Sequence, residues 1–304
     1  MAALRKPSLD ESNRLFTGVM LGGAGVIGST ITVLFVGAMM AGLLRLHQGI
    51  IALPRRREVM AIGAVFAFHF LAISASSLYN YHDRLAFLEI VEALPFLAFL
   101  LIYGRMSLSA REDIARAAET GVIAGAFGAL ALALVQAQFL GLGRADGGAG
   151  NPGVFAVVCA FLYGMSIVAA LRRKGAWQVA AILAVAAAAI ALLLSGMRTL
   201  WPVLPLAPVL CLLVLRPRLH GRGLARALLA AAVLAVGVGL VSRNVIVERL
   251  QALEEAIRLT FTFSQYDNSL GERLRIWEAG LALAGERPWL GHGPANIPRL
   301  IMER

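Results

Sequence analysis

Long apolar runs alternate with short polar stretches along most of this chain. The runs cover Phe16–Leu44, Val59–Ser77, Leu85–Tyr103, Gly121–Leu140, Gly153–Leu171, Ala176–Ser195, Leu200–Leu215 and Ala227–Val241. At about 1.5 Å of rise per residue, a helix of about 20 residues crosses the roughly 30 Å hydrocarbon layer of a bilayer. The runs are rich in Leu and Ala and lack two-residue alternation, so they read as helices and not as strands of a barrel. The first run is longer than one crossing needs and holds Gly22, Gly23, Gly25 and Gly28. One long tilted helix and two short helices in a hairpin are both open there. No internal repeat or low-complexity linker divides the chain. The predicted fold is all-α, a polytopic transmembrane bundle of about eight or nine spans.

After Val241 the pattern changes. Val247, Leu250, Leu253, Ile257 and Phe261 recur at helical spacing, with Glu248, Arg249, Glu254 and Glu255 between them. A polar turn follows at Gln265–Ser269. A second helix then carries Leu274, Trp277, Leu281 and Ala284 as one stripe, and Pro288, Gly291 and Gly293 stop it. The expected organisation is a transmembrane bundle over 1–241 and a loop region over 242–304. That region has two amphipathic helices and caps the mouth of the bundle, lying on the membrane or against the helices.

Composition agrees with the pattern. Hydrophobic residues make up 59% and charged residues 15%, more apolar surface than a soluble chain of 304 residues buries. The net charge of +10 would suggest nucleic acid in a soluble protein. Here the basic residues sit in the short loops, where they set topology, and no nucleic-acid partner is inferred. One alternate set of loops holds Arg45 and Arg55–Arg57, then Arg105, Arg111 and Arg116, then Arg172–Lys174, then Arg216, Arg218, Arg222 and Arg226. The opposite set holds only Arg84, Arg144 and Arg198. By the positive-inside rule the first set is cytoplasmic, and the second faces outward with everything after Val241. Arg5, Lys6 and Arg14 favour the inside, which a hairpin within Phe16–Leu44 would satisfy. The first residues lack the apolar core and cleavage site of a signal peptide, so no processing is expected. Cys159 and Cys211 fall inside apolar runs and read as packing residues.

Few polar groups remain to carry chemistry. Arg198 ends an outward-going run, and Ser195-Gly196 before it would let the chain bend toward a cavity. An arginine at that depth is ordinarily an interfacial anchor. It is also the side chain best suited to a diphosphate, because its planar fork donates two hydrogen bonds and stays charged. Arg273, four residues before Trp277 and on its helix face, is the second such group; together they could clamp a lipid diphosphate as leaving group. His69, Glu89, Glu92, Gln136 and Gln138 lie within apolar runs. Glu89 and Glu92 share a face beside His82, Asp83 and Arg84, as an interfacial ion-pair cluster or the lining of a cavity. With His69 they also admit a proton relay in a secondary transporter, although paired repeats and broken mid-membrane helices are not apparent. No metal-ligand spacing or phosphate loop is visible, and no cofactor or metal is inferred.

Several segments together carry a resemblance: GGAGNPG (Gly147–Gly153) with Asn151, SGMR (Ser195–Arg198), VERL (Val247–Leu250), Arg273 with Trp277, and Pro288, Gly291 and Gly293. In order and spacing this series resembles the O-antigen ligase and polymerase superfamily. The resemblance implies a metal-independent, inverting glycan transfer at the periplasmic face of the bacterial inner membrane. The donor would be a glycan on undecaprenyl diphosphate, and the acceptor a lipid A–core sugar or another carrier-linked repeat. It implies catalytic and diphosphate-binding roles for Arg198 and Arg273, substrate contacts for Trp277 and Asn151, and a structural turn at Pro288, Gly291 and Gly293. The chain departs from the family pattern at Gly153, where Asn is frequent. The family's acceptor-activating His, further along the external loop, and its later spans do not appear before Arg304. His292 sits at a variable position and does not inherit that role. The expectation is therefore a truncated product or a homologue without the standard base, including an inactive homologue that only binds carrier lipid.

Overall fold

A computed structural model describes residues 8–28, 30–81, 84–215, 243–268 and 270–303. Every regular element among these residues is helical. The expected span Ala227–Val241 and the basic loop at Arg216–Arg226 lie outside the described residues, as do Arg5, Lys6, His82 and Asp83. Among the described residues five helical stretches are long and apolar enough to cross a membrane: Arg57–Tyr79, Arg84–Met106, Arg111–Gln138, Pro152–Arg172 and Ala176–Leu194. Two shorter apolar ones are Thr32–His47 and Arg198–Cys211. Several such helices in one chain make a multi-pass membrane protein.

The chain forms two compact units, Met1–Leu34 with Ser109–Leu250, and Phe35–Leu108 with Gln251–Arg304. The first unit is built on α1 (Leu9–Gly23), α6 (Arg111–Gln138), α7 (Pro152–Arg172), α8 (Ala176–Leu194) and α9 (Val203–Leu215). Helix α1 starts before the apolar run because Ser8 and Glu11 form a capping box: each side chain bonds the other's backbone N–H. It packs along α6 on small residues. A Cβ at Gly121 would lie 2.5 Å from the Gly18 carbonyl oxygen, and one at Gly125 2.4 Å from that of Leu21. Without Cβ atoms the two backbones touch, the close crossing that membrane helices use when lipid offers no hydrophobic drive. The glycines of the first run thus serve packing as well as turning. The run does divide, with a turn at Ala24–Gly28 between α1 and α2 (Thr30–His47), as the two-helix alternative expects.

Helices α6, α7 and α8 enclose the main core, in which Val122, Phe155, Cys159, Leu162 and Leu192 are fully or almost fully buried among alanines. At one end Glu119 of α6 is buried and pairs with two consecutive arginines: Arg172, the last residue of α7, forms an ion pair with it at 2.7 Å, and Arg173, just past the helix end, donates to it through Nε at 2.5 Å. Arg173 also donates to the Arg116 carbonyl and stacks over Trp177 at the start of α8. A buried carboxylate is tolerated because its charge is shared between two partners.

The second unit holds the part of α2 from Phe35 on, α3 (Arg57–Tyr79), α4 (Arg84–Ala93) and α5 (Ala98–Met106), a 3₁₀ turn at Leu94–Leu97 joining the last two. The expected span Leu85–Tyr103 is therefore one crossing with Pro95 at its narrowed middle. Most of α10 (Arg243–Thr262), all of α11 (Gly271–Glu286) and the short α12 (Ile297–Met302) complete the unit. The helices expected beyond Val241 are present as α10 and α11. Their apolar stripes are not covered by protein: Leu250, Phe261, Trp277 and Leu281 are all exposed, while Ala256 and Leu283 are buried instead.

Candidate functional site

In the first unit the loop between α6 and α7 folds into a polar cluster. Gln136, buried in the last turn of α6, bends the chain back on itself: its Oε1 accepts from the backbone N–H of Asp146 (3.1 Å) and Gly147 (2.9 Å). Its Nε2 donates to the Gly147 carbonyl and to the Asp146 carboxylate. Gly148 N donates to the Gly25 carbonyl, and its α-carbon is pressed so near Val26 that a Cβ would lie 2.0 Å from that carbonyl oxygen. Asn151 then caps α7, its Oδ1 accepting from Gly153 N and Val154 N, with Pro152 in the first turn.

The end of α8 comes to the same place. Ala145 N donates to the Leu194 carbonyl, and Arg144 Nε to the Ser195 carbonyl at 3.1 Å. The Ser195 hydroxyl is buried, donating to the Leu192 carbonyl and accepting from Met197 N, so it shapes the bend and is not free to react. Gly196 takes a positive φ of 68°. Arg198 opens the following 3₁₀ turn, half-buried. A Cβ on Gly153 would sit 3.6 Å from Met197 Cε, so the ends of GGAGNPG and SGMR meet although Gly153 and Met197 are 44 residues apart. The segments that carry Asn151 and Arg198 thus meet, and Arg144, which its place in an Arg-poor loop alone did not single out, bonds Ser195 and Met197 just before Arg198.

The second unit has a matching polar centre at the end of α3. Asn80 Oδ1 accepts from Arg287 Nη1 at 2.8 Å, and Asn80 Nδ2 donates to the carbonyls of Ser76 and Gly291. Ser76 Oγ donates to the Leu290 carbonyl at 2.6 Å, and Asn296 Nδ2 to the carbonyls of Asn80 and His292. Pro288, Gly291 and Gly293 are the corners of the docked turn. Gly291 and Gly293 have φ of 59° and 81°, and a Cβ on Gly293 would come 3.0 Å from that of Asn80. His292 Nε2 lies 3.2 Å from the Leu283 carbonyl and 3.4 Å from Glu286, a packed histidine at the end of α11. Asn80 could have been suspected as a polar residue closing an apolar run, but no spacing links it to a turn over 200 residues later.

Arg273 is exposed on α11, on the same face as Trp277, and forms no ion pair among the described residues. Arg198 and Arg273 belong to different units. His69 meets the edge of Phe96, with ring centroids 4.5 Å apart. Among the described residues no ion pair joins Glu89 or Glu92 to Arg84, and both glutamates reach the surface of their unit.

Residues 182–303 match the family model described as O-antigen ligase. Over that segment the chain is similar to the O-antigen ligase family. The match begins within α8 and ends in the last described turn, taking in Arg198, Arg273, Trp277, Pro288, Gly291 and Gly293. Asn151 and the α6–α7 loop precede the matched segment in sequence, although the loop packs on its first part. No curated protein and no solved structure matches the chain.

Proposed function

We propose that this protein is an O-antigen ligase-like membrane glycosyltransferase. It moves a glycan from undecaprenyl diphosphate to a lipid A–core sugar or related glycolipid acceptor at the periplasmic face of the inner membrane. The observation that carries the reading is the O-antigen ligase match over 182–303, which contains both outward arginines named from the sequence. In the reaction the acceptor hydroxyl oxygen bonds the anomeric carbon as the carbon–oxygen bond to the diphosphate breaks. The electron pair leaves with the diphosphate, and the hydroxyl proton passes to a base or to water. Arg198 and Arg273 are the diphosphate-binding side chains of this reading, stabilising charge where it grows in the transition state. Trp277 offers a face for a sugar or prenyl group. Asn151 acts by holding the start of α7 beside the Arg198 turn, a positioning part that its two backbone bonds support.

The test is glycan attachment in cells that supply donor and acceptor. Arg198→Ala and Arg273→Ala should each lower attachment by about 10²-fold or more while the protein still inserts. Normal attachment in both variants would sink the proposal.

A further inference from the structure

A second charged centre lies in the second unit, on two helices that carry none of the residues assigned to transfer. Helices α2 and α5 pack through Met39, Ala98 and Leu101, with Phe35, Val36, Leu46 and Ile102 against them. At the closest point a Cβ on Gly42 would be 3.2 Å from Leu101 Cβ. Arg45 follows Gly42 by three residues and Arg105 follows Leu101 by four, so both guanidiniums fall one helical turn along the same seam. Arg105 is only 4% exposed, and Arg45 lies within electrostatic range of it. Arg45 Nη1 is buried with no hydrogen-bond partner among the described residues. A buried, unbonded donor beside a like charge is costly unless an anion completes it. The adjoining stretches 47–57 and 106–110 contain no Asp or Glu.

The same seam opens into an apolar cleft of about 510 Å³. Phe99, Tyr103 and Met106 line it along one face of α5, opposite Phe35 and Phe66. Its size is that of an ordinary ligand cleft, yet its walls offer almost nothing polar. An apolar trough between the same helices that carry an unbonded guanidinium nitrogen matches an amphiphile with a hydrocarbon chain and an anionic phosphate.

We propose that the α2–α5 seam binds an anionic phospholipid of the surrounding bilayer, its phosphate oxygen accepting from Arg45 Nη1 and an acyl chain lying against Phe99 and Tyr103. This site is independent of the glycan-transfer reading and uses none of its residues. The test is native mass spectrometry of the full chain released from nanodiscs of equal phosphatidylglycerol and phosphatidylcholine. Retained phosphatidylglycerol should exceed phosphatidylcholine by about fivefold, the preference expected of one arginine at a membrane surface. Arg45→Gln should bring the ratio to about one. Phe99→Ala should lower retention of both lipids and keep the preference; it also serves as the test if Arg45→Gln does not insert. Equal retention of the two lipids by the unaltered protein would overturn the proposal, as would retained preference in Arg45→Gln or undiminished phosphatidylglycerol in Phe99→Ala. Displacement of the lipid by inorganic phosphate alone would also overturn it, identifying a free-anion site.

Discussion

Each unit pins a glycine-bearing turn with one buried amide, Gln136 in the first and Asn80 in the second. The chemistry is the same: one primary amide donates and accepts at once, so it satisfies backbone groups that a turn leaves open. The distances along the chain are not. Gln136 holds residues ten and eleven positions away, whereas Asn80 holds Gly291 across 211 positions. The settings differ too. Of the apolar window of α6, which carries Gln136, 44% is buried within protein, against 6% for α3, which leads to Asn80. One amide is set in a core, and the other sits at the tip of a helix whose sides are left for lipid. The first should therefore support the whole fold, and the second only its own turn.

The sharpest way to break the contrast is Gly148→Ala. The new Cβ would meet the Val26 carbonyl at 2.0 Å, with backbone on both sides, so the α6–α7 loop must leave the α1 end. A loss of about 3 kcal/mol or more is expected, read as a fall in folded protein after detergent extraction and in Tm. Next is the direct comparison of Gln136→Ala with Asn80→Ala. Removing Gln136 strands two buried backbone groups of Gly147 at about 1–3 kcal/mol each, with the part-buried N–H of Asp146 besides, and should lower Tm globally. Removing Asn80 should leave Tm nearly unchanged while hydrogen exchange over residues 289–296 speeds up by about tenfold, a cost of about 1–2 kcal/mol confined to the turn. Equal Tm losses in the two variants would refute the distinction. The smallest effect is expected for Trp289→Ala. That ring is 94% exposed at the tip of the turn, so stability should stay within about 0.5 kcal/mol while bilayer partitioning of the second unit weakens.

Much of this was legible in the sequence where the signal was local. The apolar runs from Val59 to Leu215 correspond to helices with ends shifted by a few residues, because lipid-length hydrophobicity and helical structure are tied by backbone hydrogen bonding. Asn151 before Pro152 carries its capping role in its own dipeptide. Helix α6 begins ten residues before its apolar run because Arg111–Thr120 form a charged helix that hydropathy alone does not register. The pairing of Asn80 with Arg287 and Gly291 was not legible, since nothing local to α3 names its partner. The exposure of the α10 and α11 stripes is a related case: helical spacing identifies an apolar face without saying what covers it. For Arg198 and Arg273 residue type supplied the candidates, and the family match supplies their context.

The carboxylate of Glu119 works on the first unit as a two-pin connector. Its two oxygens pair with guanidiniums of neighbouring residues, Arg172 in the last turn of α7 and Arg173 just past its end. Sliding α7 along α6 would break both pairs, and rolling it would trade one against the other, with the loser left in a poorly solvated place. Relative travel of these two helices is thus blocked at the end nearest Arg173. Any adjustment at the opposite end, where Asn151 and Arg198 sit, has to come from flexing of the helices and their loops, like the free end of a clamped beam.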